Sequence, residues 1–176
     1  GQDSGAARST PPDVVRSPTR TVAQSKLWYA DDDWWGILVT PTGEARIFRL
    51  DIAGRSWQLG GPLVDERNNT LADALPEGEG LVVVTGGPNP TSAADALRLI
   101  RFTYDAAGRR YVLDRDFPVR ISAGGVRSAT LARDSTGKLW VSYIDEGRLV
   151  VDHSTTDDHL WRGPYQPAGG AAALAV

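Results

Sequence analysis

From residue 25 onward, apolar and polar residues alternate along short stretches of the chain. These stretches are rich in aromatic and β-branched residues and are bounded by Gly, Pro, Asp and Asn, a pattern typical of β-strands. Only Thr91–Leu99 has helical character, and because it runs straight into a strand we expect a loop with at most one turn there. Twelve strands are predicted, and the chain is therefore expected to be all-β: Lys26–Ala30, Trp35–Thr40, Ala45–Leu50, Ser56–Leu59, Thr70–Ala74, Leu81–Thr85, Leu97–Tyr104, Tyr111–Leu113, Ala129–Arg133, Leu139–Ile144, Arg148–His153 and Leu160–Arg162.

Internal repetition indicates how these strands are arranged. Residues 51–57 (DIAGRSW) align with residues 105–111 (DAAGRRY), and residues 148–161 (RLVVDHSTTDDHLW) form a third, looser copy. Each copy belongs to a unit of roughly 40–54 residues with four predicted strands, which is typical of the blades of a β-propeller. The predicted blades are residues 25–66, 67–121 and 122–166, and residues 167–176 are expected to begin a fourth set of strands.

Three blades are too few to close a propeller ring, which normally has about four to eight. An arc of three would leave apolar sheet faces open to water. We therefore expect the chain to be the N-terminal half of a ring of about six or seven blades, completed by further blades or by a second chain. Residues 1–24 are rich in Ser, Thr, Pro and Arg and are predicted to be an extended or disordered leader.

Composition excludes several classes of partner and site. Hydrophobic residues make up 41% of the chain and charged residues 23%, with a net charge of −3, so there is no basic footprint for nucleic acid. No run approaches the roughly 20 apolar residues of a membrane-spanning helix. Because Cys is absent and only His153 and His159 are present, disulfides and all-cysteine or all-histidine metal sites are excluded, and no metal or cofactor is expected. Met is also absent, so we expect a processed or excised piece.

The three copies of the repeated segment share parts of one short motif, and the shared residues are Gly54, Ser56 and Trp57, then Gly108 and Tyr111, then Ser154 and Trp161. This motif resembles a degenerate Asp-box, S/T-x-D-x-G-x-T-W, of the secreted bacterial BNR/Asp-box sialidase-like propellers. The resemblance covers about residues 12–176 and implies a propeller fold and secretion. The box itself is structural, since Gly permits the positive φ of a tight turn, Ser or Asp binds turn amides, and the aromatic ring packs between blades.

A ligand site is expected where the inter-blade turns and the turns between second and third strands surround the central channel. The segments on that face are Pro62–Asn69, Val119–Ser128, Gly163–Gly170, Pro41–Ala45, Gly86–Ala96 and Asp145–Gly147. Asp65, Glu66, Arg67 and Arg127 fall on this face, and Asp73 lies further along an inner strand. Because innermost strands converge on the channel, these five residues are predicted to form part of a polar ligand-binding pocket.

Three functions follow from this pattern. The first is a module that binds carbohydrate or protein. The second is a glycoside hydrolase completed by absent blades or a partner chain; the sialidase resemblance implies three arginines for the substrate carboxylate, and only Arg67 and Arg127 are conceivable members. Asp65 and Glu66 would be a poor pair of catalytic carboxylates, because adjacent residues on an extended chain point to opposite sides. The third is a structural half-propeller that closes a ring with another chain. No catalytic residue is assigned.

Overall fold

The computed structural model describes residues 26–68 and 70–167, and these residues form strands and turns with no α-helix. The all-β prediction is therefore confirmed, and the expected single turn appears as a 3₁₀ turn at Ala93–Asp95. The predicted leader, residues 1–24, and residues 168–176 of the predicted fourth set lie outside the described residues. The strands are β1 Leu27–Ala30, β2 Asp33–Val39, β3 Ala45–Asp51, β4 Ser56–Asp65, β5 Leu71–Glu77, β6 Gly80–Gly86, β7 Arg98–Asp105, β8 Arg110–Leu113, β9 Val119–Arg120, β10 Arg127–Arg133, β11 Leu139–Asp145, β12 Arg148–Ser154 and β13 Trp161–Tyr165.

The strands form three antiparallel sheets in which neighbours in sequence are neighbours in space. Sheet 1 contains β1 to β4, sheet 2 contains β5 to β8, and sheet 3 contains β10 to β13; the short strand β9 joins sheet 2 by pairing with β7. Each sheet corresponds to one of the units predicted from the sequence repeat, and none of the three closes on itself.

Several predicted strand boundaries are wrong. Strand β5 ends at Glu77 instead of Ala74, β13 ends at Tyr165 instead of Arg162, and β9 lies in a segment that was predicted to be a loop. The largest difference is in sheet 1. The fourth strand of sheet 1 was expected to end at Leu59, with a loop over Pro62–Asn69, but β4 continues to Asp65. The pairing of β3 with β4 shifts register between Ala45 and Phe48. Such bulges, together with a position at the sheet edge, allow a strand to pass through Gly60, Gly61 and Pro62. The loop on this face therefore begins only at Glu66.

The Asp-box-like segments all lie in the hairpin between the third and fourth strands of a sheet, as predicted. In the first two copies the carboxylate of the leading Asp accepts a turn hydrogen bond, from Gly54 N to Asp51 at 2.8 Å and from Gly108 N to Asp105 at 3.1 Å. The prediction that these glycines take positive φ is wrong, because the left-handed residue of each turn is the following arginine. A Cβ at either position would overlap a carboxylate oxygen of the leading Asp, so that side chain would have to move if the glycine were replaced.

Sheet 2 is buried on both faces, and strand β6 shows this most clearly. Leu81 and Val83 belong to the apolar cluster shared with sheet 1, whereas Val82 and Val84 belong to the cluster shared with sheet 3. All four side chains are at most 1% exposed. An antiparallel sheet normally has one face open to water. Sheet 2 therefore lies between the other two sheets, which pack on its opposite faces.

Tyr111, the aromatic residue of the second box, packs between sheets 1 and 2. Its hydroxyl accepts a 2.9 Å hydrogen bond from Trp28 Nε1, and its ring meets Trp28 and Trp35 edge to face, with centroids 5.7 and 5.1 Å away. Such aromatic contacts add stability beyond the area they bury. In the third box, Trp161 packs against the cluster between sheets 2 and 3. These two aromatic residues thus have the predicted inter-sheet position.

Charged groups of the same hairpins reach the preceding sheet. Arg109 in the β7–β8 hairpin contacts Asp33 of sheet 1 at 2.8 Å. In the β12–β13 hairpin, Asp158 is only 5% exposed and binds Arg101 of sheet 2 at 2.9 Å and Arg133 of sheet 3 at 3.2 Å. Because Asp158 is buried, removing both of its guanidinium partners would leave an uncompensated charge, which costs on the order of 3–5 kcal/mol. These pairs fix the alignment of neighbouring sheets.

Burial of both faces of β6 predicts the effect of a nearly isosteric substitution on each face. Val82→Thr and Val83→Thr should each lower the free energy of unfolding by about 1–3 kcal/mol, because each places a hydroxyl in an apolar interface. Val112→Thr on the exposed part of β8 is the matched control and should change stability by less than about 0.5 kcal/mol. Chemical denaturation of the three variants checks this. A sheet with one solvent-facing side would tolerate one of the two β6 substitutions.

Candidate functional site

Asp65 and Arg67 form a buried ion pair at the end of β4. The Asp65 carboxylate is 1% exposed, and Arg67 Nε lies 2.8 Å from Oδ1 and 3.1 Å from Oδ2. Arg67 Nη1 also donates to the carbonyls of Ala94 and Ala96, at 3.0 and 2.8 Å, and Nη2 donates to the Thr85 hydroxyl at 3.1 Å. Bidentate pairs of this kind are strong and geometrically specific. The guanidinium therefore joins sheet 1 to the end of β6 and to the 3₁₀ turn.

The environment of Asp65 favours its charged form. Burial alone would raise the pKa of the Asp65 carboxyl, but hydrogen bonds from Arg67 and Thr85, together with the charge of Arg67, hold that pKa below its usual 3.8. The carboxylate stays ionised through the neutral and mildly acidic range, and the pair remains intact there. A carboxylate held in this way is suited to positioning the chain rather than to proton transfer.

Glu66 points away from this pair. Its side chain is 58% exposed and contacts Arg98 at 3.1 Å. A backbone hydrogen bond and the Arg98 contact lower the pKa of Glu66. The opposite environments of Asp65 and Glu66 agree with the expectation that adjacent residues on an extended segment point to opposite sides. The two carboxylates do not share one cavity as an acid and nucleophile pair would.

Asp73 lies within the packing of the sheets. It is buried on β5, and its carboxylate accepts a 2.8 Å hydrogen bond from the backbone N–H of Leu131 on β10. This bond crosses from sheet 2 to sheet 3. Asp73 also influences Lys26: burial lowers the pKa of that lysine, and the charge of Asp73 partly opposes the shift. The structure therefore places Asp73 in an inter-sheet contact.

Arg127 lines a separate cleft of about 310 Å³. The cleft lies between the loop after β6, the segment before β10 and the hairpin that joins β11 to β12. Its lining residues are Pro88, Pro90, Gly125, Val126, Arg127, Ile144, Glu146 and Gly147. All of these except Ile144 come from three of the segments that the sequence predicted to share one face. The cleft thus combines apolar walls with one cation and one carboxylate at exposed positions.

Backbone contacts hold the walls of this cleft together. Gly125 N donates to the carbonyl of Asn89 at 2.9 Å, and Val126 N donates to the carbonyl of Gly87 at 3.2 Å. A Cβ at Gly125 would overlap both carbonyl oxygens, so the close approach of the two segments requires glycine there. On the other side, Glu146 and Gly147 form a two-residue hairpin turn with φ of 47° and 79°, typical of a type I′ turn. The cleft is therefore built before any ligand binds.

The five predicted site residues are thus divided among three places. Asp65, Glu66 and Arg67 lie together, Asp73 lies in the inter-sheet packing, and Arg127 lies in the cleft. Sequence reasoning named the loops that carry Pro88, Pro90 and Glu146 but did not single out these residues. The Gly-Gly pair before Val126 and the Glu-Gly turn were the available signals, because both permit tight backbone geometry.

Two features are absent from the residues that the structure describes. Within residues 26–68 and 70–167, no three His, Asp or Glu side chains are grouped so that they could hold a metal ion. The same part of the chain contains no helix long and apolar enough to cross a membrane.

No family model matches this chain, and no curated protein is similar enough to match it.

The Asp65–Arg67 pair predicts a pH-dependent contribution to stability. Asp65→Asn should lower the free energy of unfolding by roughly 3–5 kcal/mol at pH 7, because Arg67 would remain buried without its counter-charge. Since the folded pKa of Asp65 lies below 3.8, the stabilisation is present above pH 3.8 and is lost as the pH falls through the folded pKa. Denaturation of wild type and variant between pH 7 and pH 2 measures the difference, which should shrink below 3.8.

Glu66→Gln is the matched control for this experiment. It neutralises the next carboxylate in the sequence, but that group is solvent-exposed and its ion pair should contribute less than about 1 kcal/mol. Equal losses for Asp65→Asn and Glu66→Gln, or a loss that does not change with pH, would contradict the assignment.

Proposed function

We propose that the three sheets are consecutive blades of a larger β-propeller and that the protein is sialidase-like in architecture. The repeat-matched sheets, the inter-sheet position of Tyr111 and Trp161, and the packing of sheet 2 between its neighbours support this. The Asp-box resemblance supports export from a bacterial cell. Fold alone does not determine activity, so the function must be argued from the site.

We further propose that the protein is a binding module and that its ligand occupies the Arg127 cleft. The observation that carries this proposal is that loops from two sheets meet there to form a preformed cavity with an exposed Arg127 and Glu146 on an apolar wall. Small ligand sites typically combine a mostly apolar lining with a few placed polar groups. Arg127 supplies a donor for a carboxylate or carbonyl, and Glu146 supplies an acceptor for an amide or amine.

The lining favours a protein segment over a glycan as the ligand. Pro88, Pro90, Val126 and Ile144 provide aliphatic surface, and the residues that line the cleft include no aromatic ring on which a sugar could stack. A short peptide with an apolar side chain flanked by polar backbone fits this combination. Sugar binding is the alternative, and a glycan array distinguishes it from peptide binding.

The geometry gives less support to a hydrolase. A sialidase-like mechanism would need arginines that are available to clamp a substrate carboxylate. Arg67, one of the two conceivable members, already donates to Asp65, Thr85 and two backbone carbonyls. Among the predicted site residues, Arg127 is the arginine that lines an open cleft, and one arginine does not make such a clamp.

A comparison of two surface arginine variants tests the binding proposal. A phage-displayed random peptide library and a glycan array would be screened with wild type, and the selected ligand titrated against Arg127→Ala. Loss of one charge-assisted contact should weaken binding by about tenfold or more. Arg110→Ala on the distant β7–β8 hairpin is the matched control and should bind like wild type. Turnover of aryl-glycoside substrates, or equal binding by wild type and Arg127→Ala, would contradict the proposal.

A further inference from the structure

A second cleft runs between the fourth strands of sheets 1 and 2, and we call it the β4–β8 cleft. Its volume is about 940 Å³, and it shares no lining residue with the Arg127 cleft. One wall is formed by Arg49 and residues 59–62, and the other by residues 107–113. Successive side chains of a strand point to opposite faces, so a cleft lined by consecutive residues follows the edge of the strand. The cleft therefore lies between two strand edges.

The edge of β8 that lines this cleft carries peptide groups without a partner in the sheet. Among the described strands, β8 pairs with β7 alone. Asp114 N donates to the carbonyl of Arg101 at 2.9 Å, which makes these two residues a hydrogen-bonded pair of the ladder. Such pairs alternate along antiparallel strands, so the next hydrogen-bonded residue of β8 is Val112. The N–H and C=O groups of Tyr111 and Leu113 thus point away from β7.

The ladder between β6 and β7 gives the same alternation. Tyr104 N donates to the carbonyl of Glu79 at 2.8 Å, so the peptide groups of Tyr104 face β6. Tyr104 is the residue of β7 that lies opposite Tyr111. The free edge of β8 therefore offers two N–H donors and two carbonyl acceptors, which is what an added strand requires.

Apolar side chains flank this free edge. Leu59 on β4 is 61% exposed, and Val112 and Leu113 on β8 are 44% and 42% exposed. Pro62 has no N–H, which limits pairing along that part of the β4 edge. Strand β8 contains neither glycine nor proline. An extended segment that enters the cleft would therefore pair with β8 and pack its apolar side chains against both walls.

The β4–β8 cleft is electropositive. The described residues that line it include Arg49, Arg109 and Arg110 and no carboxylate. Asp33, outside the lining, lies 3.7 Å from Arg49 and 2.8 Å from Arg109. Arg110 is 64% exposed, and its Nε lies 3.6 Å from the Asp105 carboxylate, too far for a hydrogen bond. Arg110 is thus the cation of this cleft that is best placed to bind a carboxylate of a ligand.

We propose that the β4–β8 cleft binds an extended acidic segment of a partner protein, which adds as a strand to the free edge of β8. The backbone of the segment accepts hydrogen bonds from the N–H groups of Tyr111 and Leu113 and donates to their carbonyls. A carboxylate of the segment binds Arg110, and its apolar side chains contact Leu59 and Leu113. In this mode of recognition the main-chain hydrogen bonds give affinity and the side chains give specificity. The inference does not depend on the ligand proposed for the Arg127 cleft.

A charge reversal tests the cleft. A displayed library of short linear peptides enriched in Val, Ile, Asp and Glu is screened with wild type, and a selected peptide is titrated against the variants. Arg110→Glu should weaken binding by at least about tenfold, because it replaces an attraction with a repulsion. Arg148→Glu makes the same change in net charge at an exposed position of sheet 3 and should bind like wild type. Thermal unfolding of both variants checks that they fold. Equal losses in the two variants would overturn the site.

An N-methyl scan of the selected peptide tests strand addition without changing the protein. Only alternate peptide groups of an added strand face β8, so N-methylation should weaken binding by at least about tenfold at alternate positions and by less than about threefold between them. Equal effects at every position, or at none, would overturn strand addition. Selected peptides that respond to Arg127→Ala and not to Arg110→Glu would overturn this inference and support the proposed function, so the two proposals fail separately.

Discussion

The burial of β6 on both faces is the constraint on which the rest of the structure depends. A strand with Leu81 and Val83 on one side and Val82 and Val84 on the other needs an apolar surface above and below it. Sheets 1 and 3 supply these surfaces, and each in turn presents a second face that the described residues leave without a sheet. The same pattern that stabilises the middle of the molecule thus creates the exposed aromatic faces at its ends.

The hairpins between third and fourth strands convert this stacking into a defined alignment. Apolar contact between sheets is not directional, so it does not by itself fix how one sheet lies on the next. Tyr111 with its hydrogen bond from Trp28, and Asp158 with its two arginines, supply directional contacts at the two interfaces. The repeated motif is therefore explained by packing between sheets, with no need for a catalytic role. The ligand site must be sought in the loops instead.

The sequence predicted the strands well because alternation and turn residues are local signals. Asp31 and Asp32 indicate the tight turn between β1 and β2, which lies between the paired residues Ala30 and Asp33. The repeat at residues 51–57 and 105–111 indicates the two matching hairpins. Glycine roles were predicted less well, since the left-handed residue of the first turn is Arg55, and Gly54 instead leaves room for the Asp51 carboxylate that its N–H binds. The extension of β4 through Pro62 was missed because bulges depend on pairing with another strand.

At the candidate site, contacts between residues that are far apart in sequence could not be predicted. Asp65 and Arg67 were correctly placed together because they are neighbours in sequence, but the partners that occupy Arg67 lie 18 to 29 residues away. Such contacts depend on how sheets stack, which a pattern of alternation does not specify. For the same reason the sequence grouped Asp73 and Arg127 with that pair, whereas the fold assigns one to an inter-sheet hydrogen bond and the other to a cleft.

Native-state hydrogen exchange tests most directly the claim that sheet 2 is enclosed by the other two. The backbone amides of Leu81–Thr85 should exchange only through global unfolding, with a free energy of opening equal to that of the whole domain. Amides of the outer strands β8 and β13 should exchange through local opening at a lower free energy. Amides of β6 that exchange as readily as those of β8 and β13 would contradict the account.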